Sequence, residues 1–420
     1  VRALKRNTFQ SPLCRKLTVN DKRDKGGSMQ YQLTEEQLML RDSVRRLSQE
    51  KIAPRSEEID RTGHIPDDIV ELFRANSLMG IPFPVEYGGA GGSFLTFIIV
   101  VEELAKACTN CCMLAGVQDL GAQPIVIAAT PQQKQKYLTK IATGEWFVSF
   151  GLTEPSAGSD SASMKTRAVL DGDSYVLNGT KCFISNADRA NVITIFAKTD
   201  AEASGVKGIS AFVVEKDSQG LSIGKKEDKM GNTATPACEV IMEDCRIPKE
   251  NILGQEGEGF YIAMETLDKT RPMVASVGVG LLAGALDYAV EYAKERIQFG
   301  RPIATLQAIQ FKLADIAMEL EAARQLTYKA AAQIDAVTAE PGWQKSKSKR
   351  LELSRLGAMC KCFATDVAMR GTIEAAQVLG GYGYMKDYPM ERRIRDAKLL
   401  QIVEGTNEIQ RSVIAGTLLA

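Results

Sequence analysis

Hydrophobic periodicity changes its step twice along this chain, and those two changes restrict the fold more than any other feature. From Met29 to about residue 145 apolar residues recur at helical spacing: Leu40, Val44 and Leu47 share one face, and Ile69, Leu72 and Phe73 another. Thr34, with Gln37 three residues on, has the capping-box pattern of a helix start, and Pro54 marks an expected end. Further helices are expected over 94–107 and 121–141. Between residues 146 and 255 the period drops to two. Val192–Phe196, Ile209–Val214 and Cys238–Met242 read as strands, and Asn178-Gly179 between two strand-like runs predicts a hairpin turn. Beyond residue 256 the helical step returns. Ile309, Leu313, Ile316 and Leu320 form one seam, and Gly357–Leu379 carries a second apolar face.

The expected fold class is therefore α+β. It comprises an N-terminal all-α domain (29–145), a middle antiparallel β domain (146–255) and a C-terminal four-helix bundle (256–420). No βαβ alternation occurs, which argues against a dinucleotide-binding Rossmann sheet. Gly278-Val279-Gly280 falls inside a helical stretch, where its glycines serve close packing. A length of 420 residues accommodates these cores.

Charge and cysteine usage exclude other classes. The 52 basic and 52 acidic residues cancel, so no nucleic-acid or anionic-membrane partner is indicated. No apolar run is read as an integral membrane segment. Nine unevenly spaced cysteines do not form a disulfide framework and suggest a reducing compartment. Cys108, Cys111 and Cys112, like Cys360 and Cys362, are read as core packing, and no metal site is expected. His64, the sole histidine, reads as a turn residue. Residues 1–28 are basic and are expected to be a leader or a mis-assigned start ahead of Met29. A bacterial cytoplasmic protein is the first expectation, with the mitochondrial matrix the alternative if the leader is a transit peptide.

Three stretches have the residue types for chemistry. In the first, the apolar run Leu399, Leu400, Ile402 and Val403 leads to Glu404, Gly405 follows, and Thr406-Asn407 can cap a helix whose apolar face is Ile409, Val413 and Leu418. A carboxylate against an apolar wall has a raised pKa and suits proton abstraction near neutral pH; a glutamate favoured by a helix N-terminus is the structural alternative. Second, Phe150 to Asp160 combines fixed turns with the hydroxyls of Thr153 and Ser159, a setting for a flat polar heterocycle or a phosphate. Third, Arg296-Ile297-Gln298-Phe299-Gly300 and Gln377-Val378-Leu379-Gly380-Gly381 end two helices, one with a cation and one with glycines.

Together these motifs resemble the acyl-CoA dehydrogenase family of flavoproteins, from about Met29 to Ala420. The segments that carry the resemblance are Leu152-Thr153-Glu154-Pro155-Ser156-Ala157-Gly158-Ser159-Asp160, Phe183-Ile184-Ser185-Asn186, Asp268-Lys269-Thr270-Arg271, Arg296 to Gly300, Gln377 to Gly381, and Glu404-Gly405-Thr406. The resemblance implies FAD between the β domain and the bundle. Phe150, Leu152 and Thr153 would line the flavin, with Thr153 near N5 and with Phe183 and Ser185 on its other side. Arg296, Gln298, Phe299, Gln307, Gln377, Gly380 and Gly381 would contact a neighbouring subunit's FAD, while Thr406 and Glu408 would touch the flavin of their own subunit. The implied assembly is a homotetramer, a dimer of dimers. Ser159, Asp268, Arg271 and Gly405 match substrate-binding positions, Arg271 offering a planar cation for adenine or phosphate.

The implied reaction is α,β-dehydrogenation of an acyl-CoA to a trans-2-enoyl-CoA. Glu404 would take the α-proton, the hydride would pass to flavin N5, and electrons would leave to an electron-transferring flavoprotein. Glu265, one turn before Asp268, is the alternative base. Phe183 and Ser185 stand where the family usually has Trp and Thr, and Val403 where Tyr is often found. Lys225–Gly231, Glu243–Pro248 and Val413–Gly416 resemble short-chain members, while Asp268–Pro272 resembles medium-chain ones. Glutaryl-CoA members of the family carry an Arg in the segment matching Asn110–Gly116 and this chain has none there, so the resemblance implies an uncharged short acyl group. An oxidase-like or enoyl-CoA-reducing relative, or a non-catalytic flavin- or CoA-binding homologue, is the rival reading.

Overall fold

A computed structural model describes residues 32–203 and 205–419, so the expectations for residues 1–28 lie outside it. Six helices come first: α1 (Glu35–Leu47), α2 (Ser56–Thr62), α3 (Asp67–Ala75), α4 (Phe94–Ala107), α5 (Thr109–Ala128) and α6 (Pro131–Ala142). The Thr34 capping box is present in both directions, Gln37 N donating to Thr34 Oγ1 at 3.2 Å and Thr34 N to Gln37 Oε1 at 3.0 Å. Pro54 does not end α1 directly, because a π turn (Ser48–Ile52) and a 3-10 turn (Ala53–Arg55) carry the chain onward. The helix expected over 121–141 is two helices. Extended Ala129 breaks it, and Thr130 caps α6 with a second capping box. Helix α5 also starts earlier than expected, at Thr109, and takes Cys111 and Cys112 into the core.

The middle region is one sheet of β1 (Val148–Gly151), β2 (Arg167–Asp171), β3 (Ser174–Ser185), β4 (Val192–Lys198), β5 (Ile209–Glu215), β6 (Leu221–Lys226), β7 (Ala237–Pro248) and β8 (Ile252–Leu253). Its order is β6-β7-β3-β2-β4-β5-β8, with β1 beside β4. Most pairs are antiparallel, but β1 and β2 each run parallel to β4, so the sheet is mixed. The expected hairpin at Asn178-Gly179 is absent. Both residues lie within β3 at a register shift against β7, and the actual turn is at Gly172, where Asp171 pairs with Ser174. Close approach requires Gly179, since a Cβ there would come within 2.5 Å of Thr166 Oγ1.

The C-terminal region holds three long helices, α7 (Gly259–Glu295), α8 (Gln307–Thr338) and α9 (Lys347–Leu379), then α10 (Met390–Leu400) and α11 (Asn407–Leu419). A short hairpin of β9 (Ile297–Gln298) and β10 (Arg301–Pro302) separates α7 from α8. The fourth side of the expected bundle is divided between α10 and α11, both packed on α9. Ile316 and Leu320 of the predicted seam are buried in α8, whereas Leu418 of the expected α11 face is 64% exposed. Gly278 and Gly280 do serve packing: a Cβ on Gly280 would come within 2.2 Å of the Glu102 carbonyl on α4. Against the sequence reading, α5 and α7 are long and apolar enough to cross a membrane by length and composition. Yet 72% and 78% of those windows are buried in protein, so their apolarity builds the core.

Buried carboxylates tie the regions together. Asp396 of α10 accepts from Asn232 N at 2.6 Å and from the Thr109 hydroxyl, joining bundle, sheet and first helical region. Asp335 of α8 accepts from Phe94 N at 2.7 Å and Leu95 N at 2.9 Å, capping α4 from another domain.

Candidate active site

Glu404 lies in the turn between α10 and α11, and its backbone has φ +53°, with Gly405 at +89°. A non-glycine residue in the left-handed region costs about 1 kcal/mol, so other contacts must hold it. Gln410 Nε2 donates to the carbonyls of Glu404 at 3.2 Å and Gly405 at 2.9 Å. Buried Lys361 of α9 donates to Gly405 O at 2.9 Å and to Asn407 Oδ1 at 2.8 Å. Asn407, itself buried, donates to Asp366 Oδ1 at 2.7 Å and to Thr365 Oγ1 at 2.9 Å. Thr406 caps α11, its hydroxyl accepting from Ile409 N at 3.4 Å, as the sequence predicts. The helix start therefore belongs to Thr406, and Glu404 is left to face α7.

There Thr270 Oγ1 donates to Glu404 Oε2 at 2.6 Å. Glu404 retains some accessible area but is enclosed by protein, and the enclosure governs its proton affinity. Burial pushes its carboxyl up to about 7, against the opposing pull of the Thr270 bond, Arg271 and Lys361. Lys361 is pulled down to about 8 by its own burial, partly offset by the Glu404 charge. Glu265 differs: it is ion-paired with Lys269 at 3.0 Å, one turn along α7. A carboxyl of the Glu404 affinity suits proton exchange near neutral pH.

The loop after β1 holds the second group. Phe150 packs against Phe196 with ring centroids 5.1 Å apart, and Leu152 is buried. Thr153 O accepts from Cys182 N at 3.0 Å, and Ser185 O accepts from Ser149 Oγ at 2.7 Å, which brings Phe150, Leu152 and Thr153 beside Phe183 and Ser185. Phe183, at φ +59° on a β3 bulge, is 63% exposed and presents its ring outward. A buried ion pair secures this corner. Lys181 Nζ donates to Glu154 Oε1 at 2.7 Å and to Leu152 O at 3.1 Å, while Glu154 also accepts from Lys165 N and Thr166 N at 2.6 and 3.0 Å. Two aromatic rings, a half-buried threonine and a pinned backbone suit a planar heterocycle.

The third group gathers where the C-terminal ends of α7 and α9 meet. The Arg296 guanidinium lies 5.3 Å from the Tyr382 ring centroid, which brings the α7 terminus to the turn after α9. Gln298, Phe299, Gln307, Gln377, Gly380 and Gly381 are all exposed, and a Cβ on Gly380 or Gly381 would meet nothing within 4 Å. This open face has a cation and accessible backbone, as an anionic ligand requires. Glu408 is exposed on α11, and Ser159 is exposed on the loop after β1.

Arg271 departs from its expected setting. It is buried and paired with Asp268 within α7, so its guanidinium offers no open face for adenine and acts on Glu404 through its charge. The other expectations of the sequence were structural. The described cysteines are free and buried, and among the described residues no cluster could hold a metal ion. His64 lines a surface cavity of about 790 Å³ with Asp67, Arg74 and Arg189, to which the Glu404 turn contributes nothing. Sequence reasoning missed Thr270, Lys361, Gln410, Lys181 and Asp119. For Asp119 a signal existed, the one charged residue of the apolar helix Thr109–Ala128.

Sequence profiles for the acyl-CoA dehydrogenase N-terminal, middle and C-terminal domains match residues 34–145, 149–245 and 257–419. A short-chain-specific acyl-CoA dehydrogenase of Clostridium acetobutylicum is 45% identical over 391 residues, covering 93% of this chain and all of its own length. Butyryl-CoA dehydrogenase from Megasphaera elsdenii superimposes with a TM-score of 0.87 at 41% identity, over 93% of this chain and 100% of that one. A chain in the structure of the electron transferring flavoprotein of Acidaminococcus fermentans matches equally, with a TM-score of 0.87 at 46% identity over 93% and 100% of the two chains.

Proposed function

Because the chain belongs to the acyl-CoA dehydrogenase family, we propose that it oxidises a short- to medium-chain acyl-CoA to the trans-2-enoyl-CoA with Glu404 as the α-proton base. One observation carries this reading: a carboxylate held by strained backbone, raised to about 7 by burial, and hydrogen-bonded by Thr270. A base of that affinity is ionised for part of the time at neutral pH and still binds a proton well. The α-hydrogen of a thioester is weakly acidic, so charge develops on the carbonyl oxygen as the proton leaves. The Glu404 backbone N–H makes none of the hydrogen bonds internal to its turn, which leaves it suited to receive that oxygen.

The residues around the β1 loop fit FAD. Phe150, Leu152, Thr153, Phe183 and Ser185 would hold the flavin, Thr406 and Glu408 would lie on the same side, and Arg296, Gln298, Phe299, Gln307, Gln377, Gly380 and Gly381 would serve a neighbouring subunit's FAD in a homotetramer. When bound, FAD supplies the acceptor for the two electrons. Ser159, Asp268, Arg271 and Gly405 complete the substrate side, Arg271 through its charge. The match to a chain in an electron transferring flavoprotein structure supports such a flavoprotein as electron partner, and the bacterial relatives support a cytoplasmic setting.

The test is anaerobic mixing of purified holoenzyme with a panel of acyl-CoAs. Bleaching of the flavin band by short-chain substrates is expected, and Glu404→Gln should keep FAD and lose bleaching by at least about a thousandfold. A panel that bleaches nothing would overturn the dehydrogenase reading, and a fully active Glu404→Gln would move the base elsewhere.

A further inference from the structure

The interior beside Glu404 is not wholly apolar. Helices α5 and α7 run antiparallel: a Cβ on Gly116 would lie 2.9 Å from Met273 Sδ, while the far end of α5 meets the start of α7, Gly254 N donating to Ala128 O at 3.0 Å. Asp119, almost one turn beyond Gly116, is thereby level with the Thr266–Thr270 turn of α7, and Thr270 is the residue that holds Glu404. Gly121 fixes this height. A Cβ there would come within 2.9 Å of the Val148 carbonyl, so α5 lies directly on β1.

Asp119 is fully buried, and only Oδ1 is satisfied, by Gln123 Nε2 at 2.8 Å. Among the described residues Oδ2 has no partner, and neither has Oγ1 of Thr266, also fully buried and on the turn of α7 that faces Asp119. Burial pushes the Asp119 carboxyl up to about 7, with the Glu404 charge adding to the rise and Lys269 opposing it. Two orphaned polar atoms on facing turns of α5 and α7 are costly where only hydrocarbon meets them. They suit a ligand that supplies a donor and an acceptor together, and a hydroxyl does both.

We propose that Asp119 and Thr266 form a polar subsite in the acyl pocket, and that the preferred substrates carry a hydroxyl on the acyl chain beyond the β-carbon. That hydroxyl donates to Asp119 Oδ2 and accepts from Thr266. The inference rests on the acyl-CoA reading above. It changes the expected substrate from a plain short acyl group to an ω- or γ-hydroxylated one. A site built to bond a substrate hydroxyl discriminates strongly against the analogue lacking it.

The experiment compares 4-hydroxybutyryl-CoA with butyryl-CoA, and 5-hydroxypentanoyl-CoA with pentanoyl-CoA, on the holoenzyme. It measures kcat/KM by anaerobic dye reduction, and Kd by calorimetry on the Glu404→Gln protein, which binds without turnover. A preference of at least about tenfold for one hydroxylated member is expected in both measures. Asp119→Ala should abolish that preference, and Thr266→Val should reduce it at least about threefold. Equal or better use of the unsubstituted partners by the wild type would overturn the subsite, as would a preference unchanged in Thr266→Val, a variant that keeps the shape of the core even if Asp119→Ala does not fold. Efficient turnover of butyryl-CoA alone would sink the subsite and leave the dehydrogenase reading standing; flavin left oxidised by every acyl-CoA would sink both.

Discussion

Replacing Thr270 by Val tests whether the proton affinity of Glu404 is set as the geometry indicates. Valine keeps the branched shape on α7 and removes the hydroxyl that donates to Glu404 Oε2 at 2.6 Å. A hydrogen bond to a charged acceptor is worth about 1.5–3 kcal/mol and one to a neutral acceptor about 0.5–1.5. The difference, about 1–1.5 kcal/mol, favours the ionised carboxylate and corresponds to about one pH unit. Glu404 must be ionised to accept the α-proton, so activity rises with pH through its pKa of about 7. In Thr270→Val that midpoint should move up by about one pH unit. The rate of anaerobic flavin bleaching should then fall about tenfold near pH 6 and by less than about a fifth near pH 9. A midpoint that stays put or moves down would refute the electrostatic reasoning. A loss equal at every pH would mean that Thr270 only positions the side chain.

Two further predictions concern stability. The folded-state pKa of Glu404 is raised from 4.5 to about 7, so the fold favours the protonated form; its destabilising ionisation is absent below 4.5 and complete above about 7. Glu404→Gln should therefore raise Tm at pH 8 and leave it unchanged near pH 4.5, with a gain of about 1–2 kcal/mol after allowance for partial solvation, and a thermal melt at both pH values checks the sign. Lys181→Met should cost about 3–5 kcal/mol by leaving Glu154 charged and buried, and should release FAD more readily because Leu152 loses its anchor. Adding Glu154→Leu should recover most of that stability, and a double variant as unstable as the single one would contradict the ion-pair account.

How much of this was legible in the chain depends on the distance over which each property is decided. Periodicity and caps are local, so the helical, β and helical order was readable from residues such as Leu40, Val44 and Leu47 or Ile309 to Leu320. Local rules failed where distant packing overrode them. Asn178-Gly179 carries the dipeptide of a hairpin turn, but Thr166 needs the space beside Gly179, and the chain runs straight. Helix α7 satisfies the length and apolarity of a membrane span only because α4, α5, α8 and α9 cover it.

The same division runs through the site. The sequence by itself determined which residues could do the chemistry: Glu404 before a glycine and a capping threonine, an aromatic and hydroxyl-bearing loop after β1, and Arg296 and Gln377 at helix ends. Only the tertiary structure decided what Glu404 is. Its left-handed backbone is held by Gln410 and by Lys361 from α9, its proton affinity is set by burial and by Thr270 and Arg271 from α7, and Asp119 of α5 stands close enough to feel its charge. A pKa is a sum over everything that surrounds a group in space, and residues 119, 270, 361 and 404 become neighbours only when α5, α7 and α9 pack around one turn.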